Sequence, residues 1–471
     1  MDGQHDLLVM GAGTAGLPAA IFAARRGMRV LLVEKLDRVG GTLHVAQGQL
    51  AAAGTSLQRE RGIEDSPELH FADVMRISRG TANEEMVRLA VGAAAGTIEW
   101  LRSAGFAFHP DSPGYVSAHE GYSRPRSHWG LERGLSILRT MERELAPHLA
   151  SGAVELRLGT GMERLLVDGD TRVAGVVLRG PDGVAREARA RQVAITTGGY
   201  GGNPALFERL EGLPLYGPLP RPASGEGVEA ALAAGAALRN PGHFLPGFGG
   251  IEDEPGSRRI VAADRPVLQP RLRLPWEIYV NRDGRRFVAE DEAGADIRER
   301  ALRAQPGLAF WIVYDARIER EAPPLLPSFD AARLERCFAT HPSFLRAATL
   351  EDLARRAGIG AAGLAATVDA YNAAVLRGGG DALGRAHMPL PIAEPPFLAL
   401  RNHGMAVKSA GGVDVDARLR VRRPDGRSFE NLHAAGETIG GGLLSGNAFV
   451  GGMSLTPWMS FGRMIGESIA R

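Results

Sequence analysis

The sequence predicts an α/β protein organised on a parallel, nucleotide-binding sheet, and three observations predict it. The chain opens with a strand, a glycine-rich turn, a helix and a second strand that ends in an acid. A buried strand near residue 195 ends in a diglycine, and another near residue 434 ends in Gly-Glu ahead of a last helix. A chain of 471 residues is too long for one small core, so two or three domains are expected.

The first unit spans Asp6 to Glu34. Leu7-Leu8-Val9-Met10 reads as a buried strand, Gly11-Ala12-Gly13-Thr14-Ala15-Gly16 as the turn, and the alanine-rich stretch to Arg26 as the helix. Met28 to Val33 forms the second strand, ending at Glu34. Gly11 permits the tight turn, Gly13 lets a pyrophosphate approach the backbone, and Gly16 lets the helix pack on the strand. The phosphates then meet the positive end of the helix. Glu34, about 20 residues on, is placed to accept hydrogen bonds from ribose hydroxyls. Together these parts make a Rossmann-like unit.

Three later segments select FAD over NAD. Gly40-Gly41-Thr42 comes directly after the second strand, where NAD domains have no use for a diglycine. Ala194-Ile195-Thr196-Thr197-Gly198-Gly199 supplies the strand and diglycine found near the adenine in flavoproteins. Leu432-His433-Ala434-Ala435-Gly436-Glu437 leads through a glycine-rich stretch, Gly440 to Gly452, into a helix from about Thr456. The N-terminus of that helix can face the flavin pyrimidine, which becomes negative on reduction.

Composition narrows the function classes. The net charge of +1, with no basic block, removes the signature of nucleic-acid binding. No apolar run reaches the roughly 18 residues of a membrane helix. No charged and then apolar segment precedes the first strand, so a cytoplasmic location is expected. Cys337 is the single cysteine, which excludes an intramolecular disulfide and a cysteine-ligated iron–sulfur cluster. Of 55 lysines and arginines, only Lys35 and Lys408 are lysines, and both fall inside the motifs.

The four glycine-bearing blocks resemble the flavoprotein family of soluble fumarate reductases, succinate dehydrogenase flavoprotein subunits and 3-ketosteroid dehydrogenases. The segments that carry the resemblance are Gly40 to Ala53, Gly225-Glu226-Gly227, Asn281 to Glu290 and Ala435 to Gly462. The ending Leu455-Thr456-Pro457-Trp458-Met459-Ser460-Phe461-Gly462 looks most like the ketosteroid dehydrogenase version. The resemblance implies a discontinuous FAD-binding domain, 1–245 plus 380–471, with an inserted α+β capping domain at 246–379 and the active site between them. Gly242 to Pro275 and Arg377-Gly378-Gly379-Gly380 read as the two seams.

By the same resemblance Gly11, Gly13, Ala15, Gly16, Glu34, Lys35, Gly41, Thr42, Gly48, Glu226 and Glu437 are cofactor contacts. Ser454 and Leu455 contact the flavin pyrimidine, and Met162, Thr197 and Gly198 complete the set. Covalent attachment in this family uses a histidine whose register falls at Thr42 rather than His44, so FAD is expected to be non-covalent. The dicarboxylate clamps do not carry over: the two arginine positions fall at Gly294 and Phe449, and a histidine pair falls at Val407-Lys408. The tyrosines of the ketosteroid dehydrogenases fall at Ala448 and Gly294.

Three catalytic candidates remain. Lys408 is read as a cation beside the flavin pyrimidine or the substrate, or as a surface lysine on a strand. His403, beside Arg401, is a proton shuttle if its pKa is near neutral, or a structural histidine. Tyr115 to Trp129 gathers two tyrosines, two histidines, two arginines and a tryptophan, and Tyr122 is its proton donor or carbonyl anchor, the alternative being a solvated loop. Asn447 and Phe449 are assigned to substrate, with Asn447 and Ser445 able to bond a carbonyl or only to form the turn. No histidine spacing indicates a metal.

The expected activity is an FAD-dependent oxidoreductase that desaturates or reduces a carbon–carbon bond next to a carbonyl. The small-molecule substrate is weakly charged, with a 3-ketosteroid-like ketone among the candidates, and is neither fumarate nor succinate. An unidentified electron donor or acceptor completes the cycle. The alternatives are an ene-reductase supplied by a separate reductase, or a non-redox FAD-containing binding protein.

Overall fold

Leu7, Leu8, Val9 and Met10 are buried because the strand His5–Met10 lies inside a sheet with neighbours on both edges. The structure is a computed structural model that describes residues 5–115, 119–214, 216–217, 222–239, 241–261, 263–406 and 408–470. It divides into two compact units, one formed by Met1–Gly212, Pro220–Phe244 and Lys408–Arg471, the other by Leu213–Leu219 and Leu245–Val407.

In the first unit His5–Met10 pairs in parallel with Val30–Val33 on one side and Ala185–Ile195 on the other. Val30–Val33 continues in parallel to Val154–Arg157, and Ala185–Ile195 to Ser428–Ala434. The order therefore runs outward in both directions from the first strand, which makes its carboxyl end a topological switch point where a crevice opens. Registers Met10↔Val33, Met10↔Ile195 and Ala434↔Ile195 align four strand ends. Gly11, Glu34, Thr196 and Ala435 therefore emerge from one edge. Gly161–Asp168 and Arg172–Arg179 form an antiparallel extension onto Ala185–Ile195. The helices Gly16–Arg25 and Leu455–Ser468 pack together on the sheet, and Gly462 allows the contact, since a Cβ there would lie 2.0 Å from the Ala15 carbonyl oxygen.

The second unit is built on an antiparallel sheet in the order Ile278–Val280, Ala309–Asp315, Phe397–His403, Phe344–Ala347. Its core gathers Phe248, Tyr279, Phe310, Ile312, Leu364 and Leu398. The outgoing edge of this unit falls after Val407 rather than at the expected 379. The reason is the pairing of Phe397–His403 with Ala309–Asp315 along its full length, from Ala309↔His403 to Asp315↔Phe397. Arg385 anchors the same stretch: it is fully buried and donates to the carbonyls of Pro275, Glu277 and His387, each at 2.6 Å. No helix among the described residues is long and apolar enough to cross a membrane.

Candidate functional site

The glycine turn closes as its sequence requires. Gly11 takes φ +100°, and a Cβ on Gly16 would stand 1.8 Å from the Gly11 carbonyl oxygen. Gly13 differs: a Cβ there would meet nothing within 4 Å, so the glycine leaves open space above the helix Gly16–Arg25. Gly41, at φ +50°, is the neighbouring wall: a Cβ there would lie 3.8 Å from the Gly13 Cα. Glu34 holds the turn, accepting from Ala12 N–H at 2.9 Å and Leu36 N–H at 3.0 Å.

Lys35 donates to Glu226 at 2.8 Å and to Ser224 at 2.6 Å. Burial raises the Glu226 carboxyl, but Lys35 and Ser224 outweigh it and hold the group below its ordinary range. Glu226 opens the helix Glu226–Ala233, with Gly225 at φ +91° as its cap. Gly227 is required by Thr197, whose Oγ1 would be 2.1 Å from a Cβ. That Oγ1 is buried without a hydrogen-bond partner among the described residues. Met162, on the strand Gly161–Asp168, is buried beside this corner, and Gly198 turns at φ +82°.

Thr42 lies exposed on a short 3-10 helix, Gly41–His44, and the ring of His44 is bonded to the Val39 carbonyl at 2.9 Å. Gly48 is a packing position, since a Cβ would lie 2.3 Å from the Arg133 carbonyl carbon.

Lys408 is not on a strand. Its ammonium nitrogen is 3.4 Å from both Ser445 Oγ and Ser454 Oγ. Burial lowers its pKa, against the nearby Glu437 carboxylate, which raises it. Ser454 precedes the helix Leu455–Ser468 and provides no side-chain cap, so the positive end of that helix and the ammonium share one locality. Val407, the other half of the histidine-pair position, lies outside the described residues.

Two carboxylates that hold this segment divide the work. Glu437 accepts from Ser409 N–H at 2.8 Å, and Glu211 accepts from Ala410 N–H at 3.1 Å and Gly411 N–H at 2.8 Å. Glu211 also receives the Tyr200 hydroxyl at 2.6 Å. Sequence reasoning finds Glu437 and misses Glu211, because a carboxylate near a helix end reads as solvated. The scarcity of lysine singles out Lys408, but no local signal shows that residue 211 supports it.

Tyr122 is buried and its hydroxyl donates to the Gly451 carbonyl, while burial pushes the phenol well above its ordinary pKa. Here it anchors the glycine loop and is not poised as an acid. Arg126, fully buried, explains its surroundings: it pairs with Asp65 at 2.6 Å and Asp73 at 2.7 Å and lies 5.0 Å over the Tyr122 ring. Within the dense cluster Tyr122, Arg126 and His128 are thus buried around an ion network, while Tyr115 and Arg124 are exposed; residues 116–118 lie outside the described ones. His403, in the second unit, departs from the near-neutral expectation. It stacks on Tyr216 with centroids 3.7 Å apart, and burial followed by the Arg401 charge brings its pKa down to about 3. Asn447 donates its N–H to Thr81 Oγ1 at 3.0 Å. Phe449 stacks on His119, and Gly294 precedes the helix Ala295–Arg303 with its N–H on Glu292.

The family model described as the FAD binding domain matches residues 6–455. The chain belongs to this FAD-binding family. A probable fumarate reductase of Shewanella frigidimarina (strain NCIMB 400) is 28% identical over 99% of this chain and 74% of its own length. A KsdD-like steroid dehydrogenase of Mycobacterium tuberculosis (strain ATCC 25618 / H37Rv) is 28% identical over 99% of this chain and 95% of its own. The open conformation of a flavocytochrome c3 fumarate reductase matches with a TM-score of 0.69 and 26% identity, covering 99% of this chain and 78% of that one.

This flavoprotein is an FAD-dependent oxidoreductase of a family acting on carbon–carbon bonds. The residues present fit the cofactor on their own account. The open space at Gly13, the unpartnered Thr197 hydroxyl and the helix end without a side-chain cap are the features a dinucleotide and a flavin ring would satisfy.

Proposed function

We propose that this flavoprotein moves a hydride to or from a carbon–carbon bond beside a carbonyl in a weakly charged substrate. Bound FAD supplies the two-electron centre. The observation that carries the reading is Lys408, held between Ser445 and Ser454 at the head of the last helix. A fixed positive charge there stabilises negative charge that develops when electrons enter, without reorganisation at that moment.

On this reading Gly11, Gly13, Ala15, Gly16, Gly41, Thr42, Gly48, Thr197 and Gly198 shape the cofactor crevice. Glu34, Lys35, Glu226 and Glu437 set its polar contacts, Met162 its apolar side, and Ser454 and Leu455 the pyrimidine end. Attachment is non-covalent, supported by the His44 ring being engaged with Val39. Tyr122 positions the glycine loop, and His403 stays neutral. The substrate is neither fumarate nor succinate. What supports this is an aromatic ring at Phe449 and a bare backbone at Gly294, where carboxylate recognition calls for paired arginine donors. A separate electron partner and a cytoplasmic setting belong to the same proposal, the latter supported by the single cysteine.

The test is a substrate panel read by flavin absorbance: cyclic and acyclic enones, steroid ketones, fumarate and succinate, each with an artificial donor or acceptor. Bleaching or reoxidation by carbonyl compounds alone is expected. Turnover of fumarate at ordinary enzymatic rates would refute the substrate assignment.

A further inference from the structure

The first unit carries a second opening. It is a cleft of about 300 Å3 lined by Arg157, Thr160, Leu178, Pro181, Asp182 and Arg186, and none of the residues assigned to the cofactor lines it. That volume is the lower limit of ordinary small-molecule sites.

Two pieces of chain make the cleft. The strand Val154–Arg157 ends beside Val33, and the loop after it is tied to the next residue: Glu34 N–H donates to the Arg157 carbonyl at 2.8 Å, and Thr160 N–H donates to the Glu34 carbonyl at 2.9 Å. Opposite stands the turn between the strands Arg172–Arg179 and Ala185–Ile195, closed by Gly183 N–H on the Gly180 carbonyl at 3.0 Å. The two pieces meet at one end, where a Cβ on Gly159 would lie 3.8 Å from the Pro181 Cβ.

The lining divides by chemistry. Leu178, which is buried, and Pro181, which is exposed, are its apolar part. Arg186 holds Asp182 with both terminal nitrogens, at 3.1 and 2.6 Å, so the one carboxylate of the lining is already engaged. Arg157 donates its Nε to Glu155 at 2.7 Å, and Glu155 is shared with His5 at 3.2 Å. The two terminal nitrogens of Arg157 have no hydrogen-bond partner among the described residues. A planar guanidinium with its fork open matches an oxyanion with two parallel bonds, and its face accepts a flat ring.

We propose that this cleft binds a planar ring that carries an anionic group, the chemistry shared by a purine mononucleotide and an aromatic carboxylate. Arg157 takes the anion, and Leu178 and Pro181 take the ring. The site makes and breaks no bond and stands apart from the flavin chemistry.

The test is calorimetric titration of the FAD-saturated holoenzyme, in which the adenosine part of the crevice is already filled. AMP and 1-naphthoate are the two ring-bearing anions; adenosine lacks the anion and inorganic phosphate lacks the ring. AMP or 1-naphthoate should bind with a Kd tighter than about 1 mM, and the one that does identifies the source. Adenosine and phosphate should each bind at least about tenfold more weakly. Arg157→Gln should weaken the ring-bearing anion about tenfold or more and leave the FAD content unchanged. Failure of both ring-bearing anions to bind tighter than about 1 mM overturns the proposal, as does an unchanged Kd in Arg157→Gln. Phosphate binding as tightly as AMP or 1-naphthoate would reduce the cleft to an ion contact. Release of flavin during the titration would place the probe in the crevice and overturn the proposal as well.

Discussion

Lys408 places its ammonium nitrogen 3.4 Å from the hydroxyl of Ser454, the residue that begins the last helix without capping it. A serine in that position ordinarily turns its oxygen back onto the N–H groups of the first turn. Here the hydroxyl faces the lysine, and the helix end keeps its donors for something else. Supporting carboxylates at Glu437 and Glu211 fix the backbone that follows Lys408, so the charge is held by the main chain as well as by the serines.

The glycine turn separates binding from folding. Gly13→Val should lower FAD affinity at least tenfold, about 1.4 kcal/mol, with little change in the unfolding midpoint of the apoprotein, because its side chain enters open space. Gly16→Val should unfold the domain, because it drives the helix off the strand. A Gly13→Val protein with full FAD occupancy in the presence of trace cofactor would show that the crevice lies elsewhere.

Glu211→Leu leaves the Ala410 and Gly411 N–H groups buried without an acceptor. A loss of about 2–4 kcal/mol in unfolding free energy is expected, together with slower turnover as Lys408 loses its footing. Denaturant titration checks the first and steady-state kinetics the second. Unchanged stability would mean that water replaces the carboxylate at no cost.

Buried histidines set the acid side of the stability profile. Burial pushes His70 and His403 down to about 3 and His128 and His433 down to about 4. Their folded pKa values lie below the ordinary 6.5, so the unfolded chain binds more protons as pH falls through 6.5. Stability should therefore decline as pH falls from 6.5 toward 4. His403→Gln should flatten that slope by up to about 1.4 kcal/mol per pH unit. The same variant should leave the pH profile of turnover between 6 and 9 unchanged, since His403 carries no charge there.

Much of the fold was legible because local chemistry and tertiary role agree in the first unit. Leu7 to Met10 is apolar on both faces and becomes an inner parallel strand; Gly11 and Gly16 stand where any Cβ would collide. The far seam was misplaced because Arg377-Gly378-Gly379-Gly380 has a linker's composition, while the pairing of Phe397–His403 with Ala309–Asp315 is a long-range fact. Among site residues, Lys408 stood out through its rarity. The protonation states of His403 and Tyr122 were not legible, because burial sets both and burial depends on partners far away in sequence, such as Gly451.

The most direct test is the two-electron midpoint potential of the bound flavin in the wild type and in Lys408→Met. The substitution keeps the length of the side chain and removes its charge. About 1–3 kcal/mol of lost charge stabilisation on a two-electron couple corresponds to a fall of roughly 20–60 mV. Slower turnover and unchanged FAD occupancy should accompany it. Burial places the lysine pKa below its ordinary 10.5, so the gap between the two proteins should also close as pH rises toward that value. A Lys408→Met flavoprotein with the wild-type potential and the wild-type rate at neutral pH would contradict the account and leave Lys408 as a structural clasp on the glycine loop.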